Sequence, residues 1–436
     1  MCQDIGFKRF SGSARYILGA ILTGNVKIYF ESYGCTMNRG EAAELEEMAR
    51  CSDHLVVSDP GDADLAILVT CCVIQATENR MWKRLRVLEK KASMVVLAGC
   101  LAAVALDRLK SDHSEVKVIP PDRYREFDDL FGPSNGSEHV PKADPKDISA
   151  ALPVSSGCVG NCSYCITRLA RGRLRSRGPE QLRTRMERLL GLGYREIRIT
   201  SQDLGAWGRD LGMGLEDLME ELLEVEGDHM IRLGMMNPDL LESRLDEMIL
   251  VWNHPRVYSF VHLPLQSGSD PLLARMGRRY TAESYLNIID RLKDGVSDLT
   301  ISTDVIIGFP AESDRDYQAT LEMIENIQPH ILNITRFSPR QGTPAADMDG
   351  QVVDRIKKDR SRKLTRLHRS ISASILERMM GKMEKVLVCE RGKEGTTMSR
   401  TRSYLPVVLE GELETGKWTE ARIVENRGSY LMGEAV

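Results

Sequence analysis

The sequence of 436 residues contains no long uninterrupted apolar run and no large excess of one charge. No window approaches the roughly 18 consecutive apolar residues that a membrane-spanning helix requires, so we expect no contact with a membrane. The net charge of −4 gives the chain no overall basic field. Any binding of nucleic acid must therefore come from local basic patches. At about 150 residues per domain, this length predicts about three domains.

The sequence also lacks the patterns of two common kinds of site, a P-loop and a histidine-ligated metal site. The sequence contains no Walker motif, which argues against a P-loop nucleotide site. Its eight histidines have no metal-ligand spacing. One of them, His262, lies in a predicted buried strand, and we expect it to be a hydrogen-bonded histidine of the core.

The cysteines are not distributed as they are in a small protein held together by disulfides. The ten cysteines exceed the average for this length, but a secreted scaffold carries them far more densely. Three are bunched in the middle of the chain and four are spread over the first hundred residues. The bunched residues are Cys158, Cys162 and Cys165, and the spread residues are Cys35, Cys71, Cys72 and Cys100. This distribution favours ligation of a metal or cluster in a reducing cytoplasm.

The first 25 residues weakly resemble a signal peptide. Lys8, Arg9 and Arg15 precede the apolar run Tyr16–Leu22. The run is short and no clear cleavage site follows it. We therefore interpret residues 1–25 as a poorly defined extension.

Residues 26–132 alternate between strand and helix patterns. The predicted strands are Lys27–Ser32, Asp64–Thr70 and Met94–Ala98, and the predicted helices are Arg39–Ala49 and Gln75–Lys91. This order predicts a parallel α/β sheet domain. Cys35, Cys71 and Cys100 each follow a predicted strand. Ligands bind at this edge of open α/β sheets, so we expect the three thiols at one rim.

Residues 133–149 are polar and rich in turn formers, which indicates a linker. From residue 150 to 350 the strand–helix alternation resumes. The predicted strands are Ala151–Ser155, Glu196–Thr200, Ile231–Met236, Ser259–Leu265, Leu299–Gly308 and Ile331–Phe337. Six such units are too few for a complete eight-unit barrel of about 250 residues. They predict a partial, open (β/α)6 barrel.

The last part of the chain changes character twice. Residues 351–381 contain a long charged helix, predicted over Asp354–Met379. Residues 382–436 contain short strand patterns broken by glycines, which indicate a small β-barrel. The expected fold is therefore α/β: a parallel sheet domain, a partial barrel, a connecting helix and a C-terminal β-barrel.

The strongest chemical motif is the bunched triplet, with the spacing C-x3-C-x2-C directly after the first strand of the partial barrel. Three thiolates this close can hold three irons of a [4Fe–4S] cube, which leaves the fourth iron open to a substrate or cofactor. Structural zinc requires four closed ligands. The nearest histidines, His139 and His229, are distant in sequence, so the pattern favours a cluster over zinc.

This triplet, with Tyr164 before its third cysteine, resembles the radical S-adenosylmethionine (SAM) superfamily. Further motifs resemble the methylthiotransferases of that superfamily. They are E-S-Y-G-C-T-M-N, V-T-C-C-V, A-G-C, P-V-S-S-G-C, I-T-S-Q-D-L-G-A-W-G, H-L-P-L-Q-S-G-S-D, D-V-I-I-G-F-P-A-E-S-D and F-S-P-R-Q-G-T-P-A. The C-terminal segment Ser399–Val408 looks like part of an RNA-binding TRAM domain. The resemblance covers the chain from Val26 to its end.

Within that family, C-T-M-N and T-E-N-R-M resemble the archaeal and eukaryotic tRNA branch. The resemblance implies addition of a methylthio group to C2 of N6-threonylcarbamoyladenosine at position 37, next to the anticodon. It also implies that the triplet cluster reduces SAM to form a 5′-deoxyadenosyl radical, and that an auxiliary cluster carries the sulfur. The alternatives are isopentenyladenosine in tRNA or a ribosomal-protein aspartate as substrate. A cluster that only relays electrons and a non-catalytic zinc and RNA-binding protein are more distant alternatives.

The resemblance implies two [4Fe–4S] clusters and their ligands. Cys158, Cys162 and Cys165 would bind the catalytic cluster, and Cys35, Cys71 and Cys100 the auxiliary cluster. Cys72 competes with Cys71 for this role, but Cys71 directly follows Thr70 as in the family pattern. Cysteine also packs as a small hydrophobe, so buried, reduced thiols at the strand ends are the structural alternative.

Contacts to SAM are expected at the carboxyl ends of the barrel strands, where βα barrels bind ligands. The candidates are Thr200, Ser201, Gln202, Asp203, Asn237, Gln266 and Ser267. These residue types also populate ordinary turns, which is the competing interpretation for each of them.

Two basic runs, Arg168–Arg185 and Arg355–Arg366, are candidates for phosphate contacts. Arg400, Arg402 and Tyr404 in the TRAM-like segment would add a charged, stacking surface. The implied partners are the tRNA anticodon stem-loop, a flavodoxin- or ferredoxin-like electron donor and a sulfur donor. We expect a cytoplasmic monomer.

Overall fold

The computed structural model describes residues 26–132, 143, 147–393 and 395–436. The expected extension over residues 1–25 and most of the expected linker lie outside these residues. The chain divides into two compact units. The first consists of the described residues before 142 together with Ile166–Arg173, and the second of the remaining described residues.

The first unit is built on a five-stranded sheet in which every pair of neighbours is parallel. Its strands are β1 (Lys27–Ser32), β2 (Leu55–Val57), β3 (Leu65–Thr70), β4 (Met94–Gly99) and β5 (Lys117–Ile119), in the order β2-β1-β3-β4-β5. Every residue of β3 and β4 is buried, as continuous apolar strands in the middle of a parallel sheet should be. The edge strands β2 and β5 have three residues each, too few for a periodic signal in the sequence.

Helices cover the two faces of this sheet. They are α1 (Thr36–Cys51), α2 (Gln75–Lys91), α3 (Cys100–Val104), α4 (Leu106–Asp112), α5 (Glu126–Phe131) and α6 (Thr167–Arg171). One buried cluster joins α2 to Leu68 and Leu97, and the other joins α1 and α5 to Ile67 and Val96. Alternate residues of β3 and β4 therefore pack on opposite faces of the sheet.

The second unit contains the predicted partial barrel. Its six main strands are β6 (Ser149–Pro153), β9 (Glu196–Thr200), β10 (Met230–Leu233), β11 (Phe260–His262), β12 (Thr300–Ile307) and β13 (Ile331–Arg336), and the short strands β7 (Ser155–Ser156) and β8 (Arg175–Ser176) pair as a hairpin. The main strands form two parallel three-stranded sheets, β6-β9-β10 and β11-β12-β13. Parallel bridges at Ile231–Val257 and Met235–His262 join the two sheets.

Helices follow these strands and cover the outer face. They are α7 (Pro179–Gly191), α8 (Leu215–Leu223), α9 (Pro238–Leu241), α10 (Leu245–Asn253), α11 (Asp270–Arg275), α12 (Ala282–Gly295), α13 (Asp314–Ile327) and α14 (Asp354–Glu377). The large hydrophobic core lies between helices and strands, and includes the fully buried Trp207 and Trp252.

The C-terminal strands close into a barrel in the order β14-β15-β16-β18-β17. They are β14 (Met383–Arg391), β15 (Thr396–Thr401), β16 (Pro406–Glu410), β17 (Trp418–Asn426) and β18 (Leu431–Ala435). All pairs are antiparallel except β16 and β18, which are parallel. The expected fold class is confirmed: parallel α/β sheet, partial barrel and small β-barrel. Among the described residues, no helix combines the length and apolarity needed to span a membrane.

Candidate active site

The cysteine triplet lies on a loop that the β7–β8 hairpin and α11 hold in place. Cys158, Cys162 and Cys165 are all partly exposed. Ser163 anchors the loop, because its N–H donates to the carbonyl of Met276 at 2.9 Å and its hydroxyl to that of Arg275 at 2.8 Å. The thiols are therefore accessible on a loop whose backbone is fixed.

The donors around the triplet fit thiolate ligands. The N–H of Gly160 donates to Sγ of Cys158 at 3.2 Å, and Nη1 of Arg278 donates to Sγ of Cys162 at 3.2 Å. A Cβ on Gly160 would lie 3.3 Å from Sγ of Cys158 and 3.8 Å from Sγ of Cys162, so this position faces the space beside both thiols. Burial raises the pKa of Cys158 to about 11, so binding a cluster must displace its proton.

Three of the predicted SAM residues make hydrogen bonds beside the triplet. Oε1 of Gln202 accepts from the N–H of Gly157 at 2.8 Å. The buried carboxylate of Asp203 accepts from the backbone N–H of Asn237 at 3.0 Å and from its side-chain amide at 2.5 Å. Burial raises the pKa of Asp203 above its ordinary value. Asp203 therefore orients Asn237 and does not itself face open space.

Arg278 completes this network and was missed by the sequence analysis. Its Nη2 donates to Oδ1 of Asn237, while its Nη1 reaches Cys162. Its guanidinium also lies 4.9 Å from the centre of the Tyr280 ring. The loop can approach closely because Gly277 has a φ of +73°, and a Cβ there would lie 2.9 Å from the carbonyl oxygen of Asn161.

The remaining predicted SAM residues differ in their surroundings. Gln266 has a φ of +65°, and its buried Oε1 has no hydrogen-bond partner among the described residues. An unpartnered buried acceptor suits a ligand that donates to it. Oγ of Ser267 accepts from the N–H of Ser269 at 3.2 Å within its own turn, and lies 3.3 Å from Oγ1 of Thr320 on α13. Thr200 is buried, and Oγ of Ser201 accepts from the N–H of Asp203 at 3.2 Å within the same turn.

A second polar group lies along β11 to β13. Nε2 of His262 lies 2.9 Å from Oδ2 of Asp304, and the amide of Asn333 donates to Oδ1 of Asp304 at 2.7 Å. Burial alone would raise the pKa of Asp304, but these hydrogen bonds lower it below its ordinary value. His262 is thus hydrogen-bonded, as expected, but it is partly exposed and so is not a core residue.

In the first unit, the structure brings Cys35, Cys71 and Cys100 to the carboxyl ends of β1, β3 and β4. A Cβ on Gly34 would lie 2.6 Å from Cβ of Cys71 and 3.1 Å from its Sγ, so the loop before Cys35 lies directly against Cys71. Burial raises the pKa of Cys71 to about 11, and the neighbouring Cys100 and Cys35 thiols also raise it. The predicted convergence of three thiols at one rim is present.

Cys72 occupies the hydrophobic core of this unit and is fully buried. A hydrogen bond from Cys72 is the main cause that lowers the pKa of Cys100 to about 6, and Arg171 adds to this effect. Cys72 therefore lies next to Cys100 on its core side.

No set of three or more His, Cys, Asp or Glu side chains in the described part of the chain is arranged to hold a single metal ion. A [4Fe–4S] cube places each thiolate on a different iron, so its ligands need not converge on one point. Both cysteine groups have this chemistry: three sulfur donors with hydrogen-bond donors beside them.

The two basic runs have different environments. In the first, Arg171 is buried and Arg183 pairs with Glu187, Glu221 and Glu224, so neither is available for phosphates. In the second, on α14, the structure buries Lys357 and Arg360 but exposes a stripe at three- and four-residue spacing. This stripe consists of Arg355, Lys358, Arg362, Arg366 and, beyond the predicted run, Arg369.

The expected RNA-facing role of Arg400, Arg402 and Tyr404 is wrong. Tyr404 is buried against Tyr258 and Phe260, with ring centroids 4.7 and 5.0 Å apart. These residues dock the β-barrel onto the partial barrel.

The two arginines of this docking surface have partners in the partial barrel. Nε of Arg400 lies 3.6 Å from the buried Glu196 carboxylate, and its guanidinium lies 4.3 Å from the centre of the Tyr404 ring. Nη2 of Arg402 donates to the carbonyls of Trp252, Asn253 and His254 at the end of α10. Both guanidinium groups are therefore paired with groups of the protein itself.

Comparison with known families matches three parts of the chain. Residues 152–324 match the Radical SAM superfamily. Residues 27–120 match the Uncharacterized protein family UPF0004, and residues 377–436 match the TRAM domain.

Similarity to individual proteins extends over nearly the whole chain. The probable threonylcarbamoyladenosine tRNA methylthiotransferase of Archaeoglobus fulgidus is 36% identical over 94% of this chain and 98% of its own length. The corresponding protein of Pyrococcus horikoshii is 34% identical over 94% of this chain and all of its own length. The human threonylcarbamoyladenosine tRNA methylthiotransferase is 33% identical over 95% of this chain and 75% of its own length.

Solved structures resemble the fold. The radical S-adenosylmethionine methyltransferase TsrM from Kitasatospora setae superimposes with a TM-score of 0.54 and 11% identity, covering 73% of this chain and 75% of the other. At this identity the likeness concerns the fold alone.

Proposed function

Because the chain belongs to the family of the threonylcarbamoyladenosine tRNA methylthiotransferases, we propose that it methylthiolates C2 of N6-threonylcarbamoyladenosine at position 37 of tRNA. The observation that carries this proposal is the presence of two separate groups of three cysteines, one on the loop after β7 and the other at the carboxyl ends of the parallel strands β1, β3 and β4. The reaction needs one cluster for SAM cleavage and a second cluster for sulfur transfer, and each set of three cysteines would hold one of them.

In this proposal Cys158, Cys162 and Cys165 hold the catalytic [4Fe–4S] cluster, and Cys35, Cys71 and Cys100 hold the auxiliary one. When bound, the first cluster supplies the electron that cleaves SAM, and the second carries the sulfur that is transferred. The protein itself positions these groups, orients the substrate base and excludes water.

The network around the triplet supports specific roles in binding SAM. Gln202 fixes the loop at Gly157, and Asp203 holds Asn237 against Arg278. The unpartnered Oε1 of Gln266 is the acceptor that remains available for a ligand. Ser267, Ser201 and Thr200 would act by shaping the turns that present these side chains.

The proposed tRNA contact is the exposed stripe on α14. Its five basic residues extend over 14 helical steps, which is about 21 Å. The β-barrel, in contrast, carries nine basic and nine acidic residues from Lys382 to Val436. Arg400 and Arg402 are used in docking, so the electrostatic attraction for phosphates comes mainly from α14.

The substrate base must leave its stack to reach the barrel mouth. This should cost no more than a few kcal/mol, which a handful of phosphate contacts can offset. We expect a cytoplasmic, monomeric enzyme that receives electrons from a flavodoxin- or ferredoxin-like donor and sulfur from a separate donor.

Anaerobically reconstituted protein tests the proposal directly. About eight irons and eight sulfides per chain are expected for two cubes, and stoichiometric zinc would contradict the enzyme. The protein should methylthiolate tRNA that carries threonylcarbamoyladenosine, with little product on unmodified or isopentenylated tRNA. Equal rates on both modified substrates, or product only on the isopentenylated one, would overturn the substrate assignment. Mass spectrometry of tRNA nucleosides from cells with and without the gene provides the matching test in vivo.

A further inference from the structure

An arginine that the proposed reaction does not use lies buried beside the auxiliary thiols. Arg171 is on α6, which belongs to the first unit, and its side chain is 1% exposed. Its Nε donates to Sγ of Cys100 at 3.2 Å. Its Nη1 and Nη2 donate to the two carboxylate oxygens of Glu41 at 2.5 and 2.8 Å.

Asn38 holds the other side of this guanidinium. Nη2 of Arg171 donates to its Oδ1 at 2.9 Å, and its amide donates to the carbonyls of Tyr33 and Thr70 at 2.9 and 2.8 Å. The guanidinium is thus fixed by a bidentate carboxylate on one side and by a backbone-anchored amide on the other. Little freedom remains in the direction of the Nε–H bond to sulfur.

Such an arrangement is not explained by stability. Removing an arginine and a carboxylate from water has a large desolvation cost, and buried ion pairs often contribute no more than apolar residues of the same volume. Hydrogen bonds and charges next to a cluster sulfur do change the reduction potential of the cluster.

We propose that Arg171 is a positioning residue that raises the reduction potential of the auxiliary cluster, and that Glu41 limits this increase. The inference rests on the proposed function, because it requires a cluster on Cys35, Cys71 and Cys100. One-electron reduction by an external donor adds negative charge to the cluster. The cationic Nε–H at Cys100 stabilises that charge, whereas the more distant carboxylate of Glu41 partly offsets it.

The two residues therefore predict shifts of opposite sign. Glu41→Gln leaves the guanidinium uncompensated and should move the midpoint potential in the positive direction. Glu41→Gln combined with Arg171→Gln removes the whole pair and should move it in the negative direction. For each we expect at least a tenfold change in the ratio of oxidised to reduced cluster at fixed potential, which equals about 59 mV for one electron.

The measurement uses the full chain with Cys158→Ala, Cys162→Ala and Cys165→Ala, so that only the auxiliary cluster remains. It is titrated anaerobically, and reduction is followed by electron paramagnetic resonance. Arg173→Gln is the matched control, because Arg173 is exposed in the same segment, and it should leave the midpoint unchanged. Arg171→Lys keeps the charge and should retain a midpoint closer to that of the parent than the double variant does.

The outcomes separate this inference from the proposed function. A parent protein without the auxiliary cluster would overturn the ligand assignment and the inference together. A parent with a normal cluster whose potential does not respond, or responds in the same direction to both substitutions, would overturn the role of Arg171 alone. If the double variant fails to fold, the sign of the Glu41→Gln shift decides: a positive shift supports the inference, and an unchanged or negative one overturns it.

Discussion

Oε1 of Gln202 accepts a hydrogen bond from the backbone N–H of Gly157 at 2.8 Å, and so ties the end of β9 to the residue before Cys158. The link connects a strand of the rigid barrel to the loop that carries three ligand thiols. The loop is thus anchored both at this point and at Ser163, on either side of Cys158 and Cys162.

Gln202→Ala should therefore loosen the cluster loop. Losing one hydrogen bond costs about 1 kcal/mol, so we expect the protein to fold but to lose cluster iron faster on exposure to a chelator. The rate of 5′-deoxyadenosine formation should fall in parallel. Gln318→Ala is the matched control, because the exposed side chain of Gln318 donates to Glu322 on α13. Iron loss at the parent rate in Gln202→Ala would show that the tether has no such role.

The two cysteine groups should give different phenotypes. Alanine at Cys158, Cys162 or Cys165 removes a thiolate that holds one iron of the catalytic cluster, and should abolish SAM cleavage. Alanine at Cys35 or Cys100 should abolish methylthio transfer while uncoupled SAM cleavage continues. The measurements are 5′-deoxyadenosine and methylthiolated nucleoside in the same reaction. Wild-type SAM cleavage by any triplet variant would contradict the assignment.

Adjacent cysteines provide a test of register. Cys71→Ala should lose the auxiliary cluster, whereas Cys72→Ala should keep both clusters, because Cys72 lies in the core and donates to Cys100. Iron analysis and electron paramagnetic resonance of the two variants measure this directly. If Cys72→Ala loses about four irons and Cys71→Ala does not, Cys72 is the ligand.

The stripe on α14 should dominate the salt dependence of tRNA binding. Replacing Arg362, Arg366 and Arg369 by Gln removes three phosphate contacts, and the slope of log K against log salt concentration should decrease by about 2 to 3. Lys363→Gln is the control, because Lys363 is off the stripe and pairs with Asp359. Filter binding over a salt series measures the slope for each variant. Equal slopes for the parent and the triple variant would show that the stripe does not contact the tRNA phosphates.

The docking arginine should affect stability and not RNA binding. Arg402→Ala removes charge-assisted hydrogen bonds to the end of α10, and we expect a loss of about 1 to 3 kcal/mol in the free energy of unfolding. Its salt slope for tRNA binding should equal that of the parent. Thermal unfolding tests the predicted loss of stability, and the salt series tests the unchanged slope. A reduced slope would show that Arg402 contacts RNA.

Much of the fold follows from local patterns in the sequence. Helix Gln75–Lys91 and strand Glu196–Thr200 have the predicted bounds. Their apolar periodicity is long enough to be distinguished from turns. The short strands β2 and β5 were missed because three residues carry no period.

The candidate site also has a part that the sequence predicts and a part that only the tertiary structure shows. Two features of the thiols are local properties that the sequence shows directly: the spacing of Cys158, Cys162 and Cys165, and the positions of Cys35, Cys71 and Cys100 at strand ends. Which arginines serve them was decided only by the tertiary structure. Arg171 reaches Glu41 across 130 residues of sequence, and Arg278 reaches Cys162 across 116.

From the sequence alone, Arg171 belonged to an exposed basic run, and Arg400 and Arg402 to a charged surface of the TRAM-like segment, because a charged residue is normally solvated. Whether such a charge is buried depends on a distant partner that offsets its desolvation: Glu41 for Arg171, Glu196 for Arg400, and the carbonyls at the end of α10 for Arg402. The sequence therefore determined the type of chemistry and the strands that support it. The tertiary structure decided which charges face solvent and which face sulfur, because that choice depends on pairs that only folding brings together.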